Sequence, residues 1–319
     1  MAEGKWIDGL QAKMPVAEAA RVALAVRFGV VLTHLDPALD SPYADSEHVH
    51  QLRVGARRAT AALKAFDSSL PKKHAKAANK ALRTIRLAAG DARDWDVFIE
   101  SLEKTRSLKD SGGKPALDFL LGYALGERSA AQTRLEEAAE KTRDDLEALA
   151  ADLPERIRES GKHSEETFGK LAEADLGDRF QEFAAAVAER PTDPDELHEL
   201  RILGKHLRYA IEIFAGCFGP PLKEKLYPAI ETMQEFLGEL QDARVGIERM
   251  EALRSMARQT LGTEWARLRP GLTKVIAGMR TKVRSGKKRF ASWANEWGKL
   301  AEEYPLEVLE RVDWHSGKQ

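Results

Sequence analysis

The sequence predicts an all-α protein organised as two tandem helical halves. Three observations carry this. Its 319 residues are rich in Ala, Leu, Glu, Lys and Arg, with 43% hydrophobic and 32% charged, a globular helical composition. Apolar residues recur at helical spacing, while Val, Ile and Thr rarely alternate with polar residues in the period-2 pattern of strands. Third, a motif near His50 recurs in register near His198. The length suits two domains or one large one.

Amphipathic patterns place helices at about 16–34, 47–69, 72–89, 94–107, 114–150, 164–188, 195–216, 222–239, 242–258, 262–290 and 291–303. Pro37 and Pro42, Pro71, Gly90, Gly112-Gly113, Pro154 and Gly161, Pro191 and Pro194, Gly219-Pro220-Pro221, Gly238 and Gly262 punctuate them as expected breaks. Asp45 precedes Ser46-Glu47 as a candidate N-cap. Asp193 precedes Pro194, with Glu196 three residues past the cap, a capping-box arrangement. Gly90 and Gly238 are expected to close helices, and Asp94 and Asp242 to cap the next ones.

The repeat is in register over nearly fifty residues. His198 follows His50 by 148 residues, and that offset also aligns Asp45 with Asp193, Leu52 with Leu200 and Arg53 with Arg201. It further aligns Ala62 with Ala210, Phe66 with Phe214, Gly90 with Gly238 and Asp94 with Asp242. The offset is close to half the chain, so the halves are assigned to residues 1–158 and 159–319. Beyond about 115 and 263 the alignment weakens.

The balance of 50 Lys+Arg against 51 Asp+Glu gives a formal net charge of −1, unlike a general nucleic-acid binder. Any polyanion site must therefore be a local segregation of cations. The single Cys217 excludes an intramolecular disulfide framework and a cysteine zinc site, and its apolar setting predicts a buried, inert thiol. No apolar run is long enough for a membrane span. The N-terminus lacks the pattern of a secretory signal, so the cytoplasm is the expected compartment.

Such a segregation is visible on the repeated helices. At roughly 100° per residue from His50, Arg53, Arg57 and Lys64 fall between about 300° and 340°, while Leu52, Ala59, Leu63 and Phe66 occupy about 160–220°. From His198, Arg201, Lys205 and Arg208 fall at about 280–340°, opposite Leu200, Leu207, Ile211 and Phe214. Lys73, Lys76, Lys80 and Arg83 form a further ridge at 3, 4 and 3 spacing, with no basic counterpart in the second half. Few carboxylates accompany these stripes, and like charges at this spacing repel by a few tenths of a kcal/mol per pair. A solvated face and an anion-binding groove both fit the pattern alone.

The stretches "HVHQLRVGARRATAALKAF" and "LAAGDARDWDVF", with their partners "ELHELRILGKHLRYAIEIF" and "FLGELQDARV", resemble the CHAD family, the conserved histidine α-helical domain. The resemblance covers roughly residues 12–305. It is specific in the His-x-x-Arg-x-x-x-(Arg/Lys) helices and the Gly-x-x-(Arg)-Asp segments, and weak in the later helices of each half. It implies two helical bundles related by a pseudo-two-fold, with a basic central pore or groove. It also implies binding of inorganic polyphosphate and, in some members, association with polyphosphate granules. The residues it carries over are His50, Arg53, Arg57, His198, Arg201, Lys205 and Arg208. Lys64, Lys73, Lys76, Lys80 and Arg83 are added from helical spacing. Glu212, at the repeat position of Lys64, is expected to narrow the basic surface.

No cofactor and no catalysis are expected. HxH at His48 and His50 points its rings about 160° apart, and no HExxH occurs. Asp94, Asp96 and Asp242 could suggest Mg²⁺, but capping accounts for Asp94 and Asp242. "SGGKPAL" lacks Walker A spacing. No strand with the Glu-x-Glu-x-Lys pattern of triphosphate-processing domains is present. Aromatic residues are scarce on the basic ridges, Tyr209 being the nearest, which argues against nucleic acid. The run Arg280–Phe290 is expected to be a solvated helix end rather than an extra wall of the pore.

Overall fold

The computed structural model describes residues 4–40, 45–105, 108–110, 112–157 and 167–305. Among them are eight α-helices and no strand, so the all-α expectation is borne out. They are α1 (Val16–Asp40), α2 (Glu47–Ala65), α3 (Lys72–Glu103) and α4 (Lys114–Arg156), then α5 (Phe168–Ala188), α6 (Pro194–Phe214), α7 (Tyr227–Thr260) and α8 (Trp265–Glu303). The expected boundary at residue 158 lies outside the described residues, as do Pro42 and Gly161.

The starts of the repeated helices follow the sequence. Asp45 Oδ1 accepts from the Glu47 backbone N–H and Asp193 Oδ1 from that of Asp195, each at 2.8 Å, which satisfies donors the helix itself cannot. Several expected breaks are absent. α1 runs on through Pro37 to Asp40, because a proline in the last turn costs one hydrogen bond without ending the packing. Gly90 and Gly238 do not close helices: α3 and α7 continue through them, so Asp94 and Asp242 are helix-interior residues and not N-caps. The two patterns expected at 262–290 and 291–303 form one helix, α8. The run Arg280–Phe290 is therefore mid-helix and not a helix end. A short π-helical turn, Leu222–Leu226, leads into α7.

Helices α1 to α4 pack on one another, as do α6, α7 and α8, with α5 against α6. The halves meet where α2 crosses α6 and where α4 lies on α8. One hydrophobic cluster runs through both halves. Phe66 and Phe214, the aromatic pair aligned by the repeat, come together at the crossing with ring centroids 6.4 Å apart, and Phe168 stacks on Phe66 at 6.0 Å and tilts against Phe214 at 5.3 Å. Cys217 is fully buried, and burial pushes its thiol up to about 12, the inert state expected.

Candidate functional site

The α2–α6 crossing places the two basic ridges face to face. A cavity of about 310 Å³ is lined by Arg57, Lys64 and Thr60 of α2 and by Lys205, His206 and Tyr209 of α6. Arg86 of α3 and Arg179 of α5 complete its cationic wall. A second cavity, of about 390 Å³, is lined by Arg53 and Arg57 of α2, by His198, Arg201 and Lys205 of α6, and by parts of α3, α7 and α8. Arg57 and Lys205 border both cavities, so the two hollows adjoin at these side chains along the α2–α6 groove. These two residues stand at the same position of the repeat. A third cavity, of about 470 Å³, sits at the α2–α3 connection among Ser68, His74, Glu155 and Arg156 and shares none of these cations.

The glycines read as helix ends have another role here. The Arg53 guanidinium lies over Gly90, and a Cβ there would sit 3.6 Å from Arg53 Nε. Arg201 lies over Gly238, where a Cβ would come within 3.3 Å of Nη2. Four residues on, on the same helix face, Asp94 accepts from Arg53 Nη1 at 2.9 Å. Asp242 is the strongest opposing charge on Arg201. A bare stretch of helix followed one turn later by a carboxylate thus seats each arginine flat against its neighbouring helix.

The cations are held in an electrostatically unfavourable state. Desolvation, together with Arg201, Arg57, Arg53 and Arg208, brings the Lys205 ammonium down to about 7. Burial and the neighbouring Arg53 lower Arg57 from its ordinary value. Burial and then Arg57 and Arg83 do the same for Arg86. Desolvation followed by Lys64 lowers His206. The wall is not without carboxylates, but those of the first cavity are engaged: Asp175 accepts from Arg179 at 2.6 and 2.8 Å. An anion entering this space would favour the charged forms of Lys205, Arg57, Arg86 and His206, which burial disfavours.

Of the residues expected from the sequence, Arg53, Arg57, Lys64, His198, Arg201 and Lys205 line the groove. His50 lines neither cavity; burial and Arg93 lower its imidazole. Lys73, Lys76, Lys80 and Arg83 are on the exposed face of α3, outside the lining. Arg208 is drawn aside to Glu231 at 3.6 Å, which Lys5 also engages at 3.0 Å. Glu212 is not on the basic surface at all. It is fully buried and accepts from Arg58 at 2.7 and 3.2 Å and from Tyr227 Oη at 2.6 Å, with Arg27 3.9 Å away. It therefore does not narrow the groove. Arg86, Arg179, Arg249 and Lys282 line the groove without being among the expected site residues. Arg86 was within reach of the helical arithmetic, since it continues the Lys80–Arg83 ridge by three residues, whereas Arg179 and Lys282 are delivered by packing. Lys282 makes the run Arg280–Phe290 part of the second cavity's wall, while Arg280 and Arg289 pair with Glu251 and Glu239. Asp96 pairs with the buried Arg128 at 2.6 Å. Among the described residues no three His, Cys, Asp or Glu side chains converge as metal ligands.

Residues 22–251 match the CHAD domain family, and the chain belongs to it. The fold is similar to the crystal structure of the CHAD domain from the plant Ricinus communis, with a TM-score of 0.66 and 21% identity over 89% of this chain and 95% of that one. It is also similar to PptA from Streptomyces chartreusis, with a TM-score of 0.65 and 18% identity over 88% and 99% of the two chains. A search of curated proteins finds no match. No helix is long and apolar enough to cross a membrane among the described residues.

Proposed function

We propose that this protein binds inorganic polyphosphate in the groove between α2 and α6, as a non-catalytic module acting in the cytoplasm or on polyphosphate granules. The observation that carries the reading is the pair Arg57 and Lys205, juxtaposed on the two repeats, each lowered by burial and like charge and each bordering both cavities. A linear polyanion is a ligand that such a groove fits. Its phosphate oxygens accept charge-assisted hydrogen bonds from guanidinium and ammonium groups, and its regular charge spacing suits a run of cations contributed by two crossed helices. Residues 1–158 and 159–319 would each supply one wall. No general base or nucleophile is needed for this role.

The test is a titration of long-chain polyphosphate against the wild type and Arg57→Ala/Lys205→Ala, at low and high salt, with tRNA as competitor. Charge-assisted hydrogen bonds contribute roughly 1.5–3 kcal/mol each, so the double variant is expected to bind at least about a hundredfold more weakly. Counterion release makes the wild-type affinity fall steeply with salt, by analogy with DNA. Equal binding by both proteins, or preference for tRNA, rejects the reading.

A further inference from the structure

The second cavity is chemically unlike the first. Four residues in its lining carry a buried polar atom with no hydrogen-bond partner: Arg53 Nε, Arg201 Nε, His198 Nδ1 and Gln241 Oε1. The two guanidinium nitrogens are donors and suit phosphate oxygens. Gln241 Oε1 is an acceptor, and a phosphate chain near neutral pH offers it nothing, since it too only accepts. A hydroxyl or amino group on a ligand would satisfy that acceptor, which an inorganic phosphate cannot do. Asp94 and Asp242, also in the lining, add further acceptors.

Part of the lining is apolar, one turn past the two carboxylates on α3 and α7. Phe98 and Met279 lie beside Val97 and Val245, which are 36% and 43% exposed. These two valines occupy the same position of the repeat, 148 residues apart. Exposed valines on both sides of one hollow leave an apolar surface that an inorganic polyanion does not cover. A volume of about 390 Å³ is within the range of small-molecule sites, roughly 300–1,000 Å³.

We propose that this cavity binds a nucleoside polyphosphate, with the phosphates on Arg53, Arg201 and Lys205 and the nucleoside against Val97 and Val245. Ribose hydroxyls or base amino groups donate to Gln241 Oε1 and to the carboxylates. The base covers the valines and Met279. The assignment rests on the same cationic wall binding phosphate that the polyphosphate reading uses, and it adds an organic body to the ligand. Since the cavity shares Arg57 and Lys205 with its neighbour, nucleotide and long-chain polyphosphate would compete.

The experiment compares ATP with inorganic tripolyphosphate by calorimetric titration, without divalent cations, on the wild type, Val97→Asn/Val245→Asn and Gln241→Leu. Both valines are solvent-exposed, so the double variant is expected to fold. Wild type should bind ATP about tenfold more tightly than tripolyphosphate, the worth of roughly 50–60 Å² of apolar burial. Each variant should reduce that advantage, the double variant to near unity, with long-chain polyphosphate affinity unchanged. Equal affinity of the wild type for ATP and tripolyphosphate overturns the proposal, as does an advantage that survives both variants, while long-chain binding upholds the groove itself. Failure of all three phosphates to bind overturns both readings.

Discussion

The two flanks of the α2–α6 crossing are built from equivalent positions of the repeat and have opposite electrostatics. On one flank Arg58 of α2 meets Glu212 of α6, fully buried and joined by Tyr227 and Arg27. At the 148-residue offset Arg58 corresponds to His206 and Glu212 to Lys64. These two partners line the open cavity on the other flank, where each is basic and His206 is depressed by burial and then by Lys64. One flank closes around a buried ion network, and the other sets Arg57, Lys64 and Lys205 around a hollow whose one carboxylate, Asp175, is taken by Arg179. Equivalent positions of the repeat thus carry two different flanks: an ion network that ties α2 to α6, and a like-charged hollow beside it.

The largest expected effect comes from breaking the closed flank. Glu212→Ala leaves Arg58 and Arg27 buried without their carboxylate, and breaking a buried pair costs about 3–5 kcal/mol. Urea denaturation should show a loss of that size. A loss below about 1 kcal/mol would mean that the packing of Phe66, Phe168 and Phe214, and not the ion network, holds the crossing.

A second experiment makes the open flank resemble the closed one. Lys64→Glu/His206→Arg installs the opposed charges of the Arg58–Glu212 pair at the equivalent positions. Both side chains are exposed, so the stability gain should stay below about 1 kcal/mol. Position 64 turns from cation to anion while position 206 becomes a permanent cation that pairs with it, a net loss of about one positive charge, and polyphosphate affinity should fall about tenfold. Unchanged affinity would move the binding wall away from this flank.

The smallest effect is a pH dependence. The Lys205 ammonium has an ordinary value of 10.5 and stands at about 7 in the fold. Folding is therefore increasingly penalised at this residue as pH falls from above 10.5 to about 7, and the penalty is constant below that. A bound polyanion favours the charged form, so binding takes up a proton above about pH 7 and affinity should weaken severalfold as pH rises through that value. Lys205→Arg, charged throughout, should flatten this limb. The limb at lower pH, from the depressed His206, should remain. Titrations at a series of pH values at constant salt read both limbs, and an unaltered profile in Lys205→Arg assigns the proton elsewhere.

Much of this was legible in the residues. The helical periodicity located the helical segments but divided α3, α7 and α8 into two patterns each, and the shared offset singled out α2 and α6 with Arg53, Arg57, Arg201 and Lys205 on one ridge each. Gly90 and Gly238 were correctly paired but misread, because a glycine that ends a helix and one that admits a guanidinium look alike in one dimension. Asp94 and Asp242 were misread with them, since a capping aspartate and an aspartate one turn past a bare glycine have the same local spacing. Glu212 misled for a related reason. Helical arithmetic gives its angle on α6 correctly, but whether that angle faces solvent or Arg58 depends on how α6 crosses α2.

The sequence by itself determined the all-α class and the segregation of cations onto two helix faces, because these follow from periodicities within one element, and it carried the repeat at the 148-residue offset. Only the tertiary structure decided which flank of the crossing closes and which stays open. It also brought Arg86, Arg179 and Lys282 to the groove and left the Lys73–Arg83 ridge outside it. Burial and the charge environment of a side chain depend on what packs against it from elsewhere in the chain, and no local spacing encodes that.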